Sequence, residues 1–272
     1  MDNSIESSKI KKKPWKKNLY ENKDYDDNYT HEPTFLKDLE RNKNIQIFTL
    51  SESIKGATLL NNQISCITAF LIVFYLLYDN ILQPTFVLAI SGISTFIGYS
   101  IFIGGSYKLL NLSDDLKTVI TVLFFGYIFS PLLYRLTDSV STDTIFSLTF
   151  FVFFLNLIFF NYGLPAAIVS KPISINSAIF GSICLASRLS SSHHAFVLLV
   201  VSVQFFVLYP MFTEKFWKSY FIIPIICCCS LILFIYSLSI LMTYLFVMIF
   251  INFFCPWLFV RLQKYKNNIH GP

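Results

Sequence analysis

Two acidic patterns lie near the N-terminus, and both are shapes that nucleotide-sugar chemistry uses. Asp24-Tyr25-Asp26 sets two carboxylates where they could hold a metal–nucleotide pair, and Glu32 and Glu40 are two acids separated by seven residues. Such motifs work inside an α/β nucleotide-binding domain of well over about 100 residues. The polar tail that carries them ends near residue 58, so neither is read as catalytic. His193–His194 has no acid or further histidine at ligand spacing and reads as a loop or interfacial pair. Cys66, Cys184, Cys227, Cys228, Cys229 and Cys255 lie in or beside apolar segments without a CxxC pair, as small apolar filler does. No HExxH, GxSxG or P-loop occurs. The residues nominate no catalytic group, no metal ligand and no cofactor site, and nothing in them points to nucleic acid.

Polar side chains planted in apolar runs say more. Asn156, Asn176 and Gln204 lie well inside such runs. A buried amide without a partner is costly, so each is expected to face the bundle and hydrogen-bond across helices. They act either as glue between helices or as the lining of a lipid or sugar headgroup site. Asp143 and Arg188 fall at the non-cytosolic ends of their spans and are expected to form an ion pair. Lys171 lies one turn inside a span, just after Asn161, Tyr162 and Pro165. Its ammonium either snorkels to the surface or meets a lipid phosphate, which makes Lys171, Asn161 and Tyr162 the candidate headgroup contacts.

The stretch from Ser139 to Phe196 must position these groups. Ser174, Ala178, Ser182 and Ala186 recur every four residues, with Ser177 and Gly181 beside them. At helical periodicity they share neighbouring faces, where another helix backbone can approach closely. Ser174, Ala178, Gly181, Ser182 and Ala186 are the candidate packing residues, and the stretch is expected to be the packed centre of the molecule.

Composition sets the medium. The chain is 54% hydrophobic and only 14% charged, with 30 Phe, whereas a soluble domain carries about a quarter charged residues. A span needs about 20 apolar residues, in a range of roughly 17–25. The expected spans are Leu59–Tyr78, Pro84–Ile103, Thr118–Tyr134, Thr144–Phe160, Pro165–Ser187, Ala195–Phe212, Tyr220–Ser237 and Leu238–Val260. The last two share one apolar run broken only by YSLS at Tyr236–Ser239, so seven spans are the alternative count. The fold class is thus an all-α polytopic membrane protein of about eight transmembrane helices. Its expected parts are a cytosolic tail over 1–58, the bundle over 59–260 and a cytosolic C-terminal tail over 261–272. Within the first tail Phe35, Leu36, Leu39, Ile47, Leu50 and Ile54 are spaced as in an amphipathic helix on the membrane surface.

With eight spans, all of the 21 Lys and Arg except Arg135 and Arg188 fall on one side. The positive-inside bias then puts both termini in the cytosol. The sequons at Asn28 and Asn111 lie on that side and are expected to stay unmodified.

Longer blocks carry a resemblance. They are LYENKDYDDNY (Leu19–Tyr29), FLKDLERN (Phe35–Asn42), SVSTDTI (Ser139–Ile145), FFNYG and AAIVS (Phe159–Ser170), SICLASRL (Ser182–Leu189) and FVRLQKYKNNIHGP (Phe259–Pro272). Together they resemble the PIG-C family, whose members belong to the complex that transfers N-acetylglucosamine from UDP-GlcNAc to phosphatidylinositol. The resemblance implies a multi-pass subunit in the endoplasmic reticulum membrane, acting at the first step of glycosylphosphatidylinositol anchor synthesis. It implies a catalytic PIG-A-type subunit and other membrane subunits as partners, and phosphatidylinositol as the lipid. This chain would be a non-catalytic scaffold that also presents the lipid acceptor. The alternative is a lipid transporter or scramblase of the same membrane, although the halves show no clear internal repeat.

Overall fold

A computed structural model describes residues 14–16, 18, 25–26, 29, 40–41, 47–103, 109–135, 139–162, 170–216, 222–266 and 269–270. Eight helical rods follow one another among these residues: α1 Leu50–Tyr78, α2 Pro84–Ile103, α3 Leu109–Arg135, α4 Thr142–Phe159, α5 Lys171–Ala186, α6 Ser192–Phe216, α7 Ile222–Tyr236 and α8 Leu238–Tyr265. Six of them, all but α5 and α7, are long and apolar enough to cross a membrane. At 1.5 Å per residue, α5 with 16 residues rises about 24 Å, short of the roughly 30 Å of hydrocarbon.

Local chemistry sets the helix ends. Ser141 caps α4, its Oγ accepting from the Thr144 backbone N–H and bonding the Thr144 hydroxyl at 2.7 Å. The polar run SVSTDT is therefore a helix start. Ser191 caps α6 in the same way and holds His194 Nδ1 at 2.7 Å. Asn80 takes the left-handed conformation between α1 and α2 (φ 54°), which asparagine tolerates. At YSLS, Ser237 is extended (φ −162°, ψ 118°), so α7 and α8 are separate helices rather than one bent rod.

The chain divides into two compact units, Leu50–Phe259 and the pair of segments Met1–Thr49 with Val260–Pro272. In the larger unit α1 touches α4, α6, α7 and α8, while α6 touches α1, α2, α3 and α5. One apolar core gathers Phe70, Phe74 and Leu77 of α1 with Phe153, Leu185, Val197 and Phe206. A second gathers Ile72 and Leu76 of α1 with Leu233, Leu241, Tyr244 and Met248. The centre expected at Ser139–Phe196 thus shares its role with α1, whose apolar residues supply both cores. In the smaller unit Glu40–Arg41 forms a two-residue antiparallel pair with Ile269–His270. Gln263 clamps Phe48 nearby, accepting from its N–H at 2.7 Å and donating to its carbonyl at 3.0 Å.

These elements correct the amphipathic-helix expectation. Glu40–Arg41 is extended, and Leu50 and Ile54 already belong to α1, which starts nine residues before the expected span. Phe35, Leu36 and Leu39 lie outside the described residues.

Candidate functional site

The middle of α1 turns polar, and those residues are among the least exposed in the protein: Asn61 1%, Gln63 1% and Ser65 0%. Successive helical residues point about 100° apart, so Asn61, Asn62 and Gln63 address three different helices. Asn61 Nδ2 donates to the Met248 carbonyl of α8 at 3.4 Å. Asn62 Oδ1 accepts from the Tyr209 hydroxyl of α6 at 2.7 Å. Gln63 Nε2 donates to Asn156 Oδ1 of α4 at 2.8 Å. The chain of bonds continues into α5, where Asn156 Nδ2 donates to the Ser174 carbonyl (2.8 Å) and hydroxyl (2.9 Å). Ser174 Oγ returns a bond to the Asn156 carbonyl at 3.1 Å. Ser65 donates to the Asn61 carbonyl and shares a 3.1 Å bond with the Tyr244 hydroxyl of α8. Asn156 and Ser174 sit near the end of α4 and the start of α5, so the α4–α5 part of this core lies toward one end of the bundle.

Small residues let α4 and α5 approach. Ser174, Ala178, Gly181, Ser182 and Ala186 are all buried. A Cβ on Gly181 would meet Phe153 Cε1 at 3.2 Å. Phe153 in turn packs against Phe70 and Phe206 at centroid distances of 5.8 and 5.6 Å. Gln204, at the start of a π-helical turn in α6 (Gln204–Leu208), ties α2 by accepting from Ser91 Oγ and donating to Ser94 Oγ.

The structure treats the other predicted residues differently. Asn176 is exposed, against the expectation that it faces the bundle; it lies about 200° around α5 from both Ser174 and Ala178. Lys171 is paired with Glu214 of α6, its Nζ 2.8 Å from Oε1 and 3.1 Å from Oε2. Tyr162 donates its hydroxyl to the Leu157 carbonyl at 2.7 Å, and burial pushes its phenol pKa above the usual range. Asn161 follows α4 directly and is half-buried. No ion pair joins Asp143 and Arg188 among the described residues. Asp143 is exposed in the first turn of α4, and half-buried Arg188 follows the C-terminus of α5, each at the helix pole that suits its charge.

Sequence reasoning missed Asn61, Asn62, Gln63, Ser65, Tyr209 and Tyr244. Three consecutive amides, NNQ, were the available signal. Every buried polar side chain among the described residues is an amide or a hydroxyl. Such a set can lock helices or orient a polar group, but it offers no buried acid or base for proton transfer. No three His, Cys, Asp or Glu side chains gather as a metal site needs among the described residues. An apolar groove of about 400 Å³ opens between the start of α1 and α8, lined by Leu50, Ile54, Phe253, Phe254 and Trp257.

Comparison with known proteins adds ancestry to this geometry. Residues 15–272 match the GPI2 family, described as phosphatidylinositol N-acetylglucosaminyltransferase. The chain is 35% identical over 270 residues to the PIG-C subunit of the Homo sapiens phosphatidylinositol N-acetylglucosaminyltransferase, covering 95% of this chain and 91% of that one. The Bos taurus PIG-C protein gives the same identity and coverage. The GPI2 subunit of Schizosaccharomyces pombe is 31% identical over 278 residues, 96% of this chain and 86% of that one. No solved structure matches.

Proposed function

The chain belongs to the GPI2 family and is a subunit of the phosphatidylinositol N-acetylglucosaminyltransferase complex, and from that premise we propose that it is the complex's membrane scaffold rather than its catalytic chain. The observation that carries the proposal is the Gln63–Asn156–Ser174 chain of hydrogen bonds across α1, α4 and α5. Its polar groups at membrane depth are spent on joining helices, and none is an acid, a base or a nucleophile held ready. Transfer from UDP-GlcNAc then falls to a partner with a nucleotide-sugar domain, a PIG-A-type subunit.

Lipid acceptor presentation forms the second part of the proposal. The groove between α1 and α8 has the apolar, aromatic lining that suits an acyl chain. Lys171 stands half-exposed with Glu214 at the end where α4 finishes and α5 starts, the level at which a lipid phosphate would meet it. That end is cytosolic in the proposed orientation, with both termini on the cytosolic face of the endoplasmic reticulum. The Glu40–Arg41 and Ile269–His270 pair supports placing the two ends on the same side, and the positive-inside bias makes that side cytosolic. A strand before α1 bonded to one after α8 fits an even number of crossings, whether six or eight.

Co-purification followed by a transfer assay tests the scaffold. Asn156→Leu is expected to lower recovery of the other subunits and sugar transfer together. Full recovery of the complex with transfer abolished would assign Asn156 to the chemistry and contradict the proposal.

A further inference from the structure

The amides of the bundle divide by what they touch. Asn61, Asn62, Gln63, Asn156 and Gln204 each hydrogen-bond to another helix of the chain. Exposed hydroxyls such as those of Ser100, Thr118 and Thr121 return their bonds to the carbonyl four residues earlier. Among the described residues Asn176 and the half-buried Asn252 of α8 do neither, and of the two only Asn176 has an exposed side chain. Its neighbours along the same stripe of α5 are apolar, Ile173 at 47% and Phe180 at 46% exposure.

Depth makes this costly. Lys171, at the first position of α5, is held by Glu214 in a half-exposed ion pair, and a charged pair at a helix end belongs at the headgroup level of a bilayer. Five residues further along, Asn176 lies about 7.5 Å deeper, beyond the interfacial layer of about 5–7 Å on each side. A primary amide there faces hydrocarbon that offers it neither donor nor acceptor.

We propose that the Ile173–Asn176–Phe180 stripe of α5 is an interface for a transmembrane helix of another subunit, one that presents a hydrogen-bonding side chain to Asn176 between apolar contacts. The inference rests on the scaffold reading and gives it a location. Mutual hydrogen bonding of side chains is how helices associate where water is absent. The occupant that satisfies this stripe must therefore bring a polar group at the same depth, which an acyl chain does not.

The test uses full-length tagged chain coexpressed with the other subunits and extracted in mild detergent. Asn176→Leu is expected to leave the thermal stability of the isolated chain unchanged, because the amide bonds to none of the described residues. It should lower the ratio of the other subunits to this chain by about three- to twentyfold, and Asn176→Gln should restore much of that ratio. A photoreactive residue at Ile173 should cross-link to an identified transmembrane peptide of another subunit. Wild-type ratios in Asn176→Leu, or cross-links to lipid or to a second copy of this chain alone, overturn the inference. If wild-type chain recovers no other subunit at all, the scaffold reading falls and this inference with it.

Discussion

Gly181 and Asn156 carry the most specific demands on the molecule. A methyl group at 181 would press on Phe153, which is wedged between Phe70 and Phe206. Gly181→Ala therefore requires a small ring shift, while Gly181→Leu forces α4 and α5 apart and should cost about 1–3 kcal/mol, read as lost thermal stability in detergent. Asn156→Leu strands Gln63 Nε2 and removes both of the donors that Ser174 accepts, a loss of about 1–3 kcal/mol. The double variant Gln63→Leu with Asn156→Leu should lose less than the two singles together, since no orphan remains at position 63. Strict additivity in unfolding measurements would show that the two amides do not act as a pair. Lys171 gives a sharper choice. If its ammonium meets a lipid phosphate, Glu214→Ala frees it and preserves transfer, whereas Lys171→Ala lowers transfer. Equal, small losses from both would reduce the pair to an exposed ion pair worth under about 1 kcal/mol.

Among the elements, α1 has the largest role and was the least legible. Hydropathy located Pro84–Ile103 to the residue and placed the start of α4 within two residues, because uninterrupted apolar runs signal themselves. The small-residue row of α5 was equally readable from its period of four. The NNQ of α1 was not, because three amides depress a hydropathy window and mimic the end of a span. Their partners lie 93 and 147 residues away for Gln63 and Asn62, and 179 for Ser65. No local pattern encodes such distances. The face of Asn176 was available from helix arithmetic alone; the rule that buries amides pointed inward only because it took the partner to be inside the chain. Helix capping supplies a test at this scale. Ser141→Ala removes the acceptor for the first turn of α4 and should cost about 0.5–2 kcal/mol, with no effect on transfer beyond the loss of folded protein.

At the scale of the whole molecule, a bundle whose buried polar side chains are amides and hydroxyls among the described residues is suited to holding shape in lipid. Family membership places that bundle in a transferase complex. The proposed topology places both ends of the bundle on the cytosolic face. Tags placed before Leu50 and after Tyr265 should both be reached from the cytosolic side of sealed membranes, and Asn111 should carry no glycan. In the proposed division of labour this chain arranges helices, lipid and partners while another polypeptide makes the glycosidic bond. The most direct measurement is transfer from labelled UDP-GlcNAc to phosphatidylinositol in vesicles, with the purified chain alone and then with the other subunits restored. No product is expected from the chain alone and product is expected from the restored complex; sugar transfer by the chain alone would make this chain the catalyst and overturn the scaffold role.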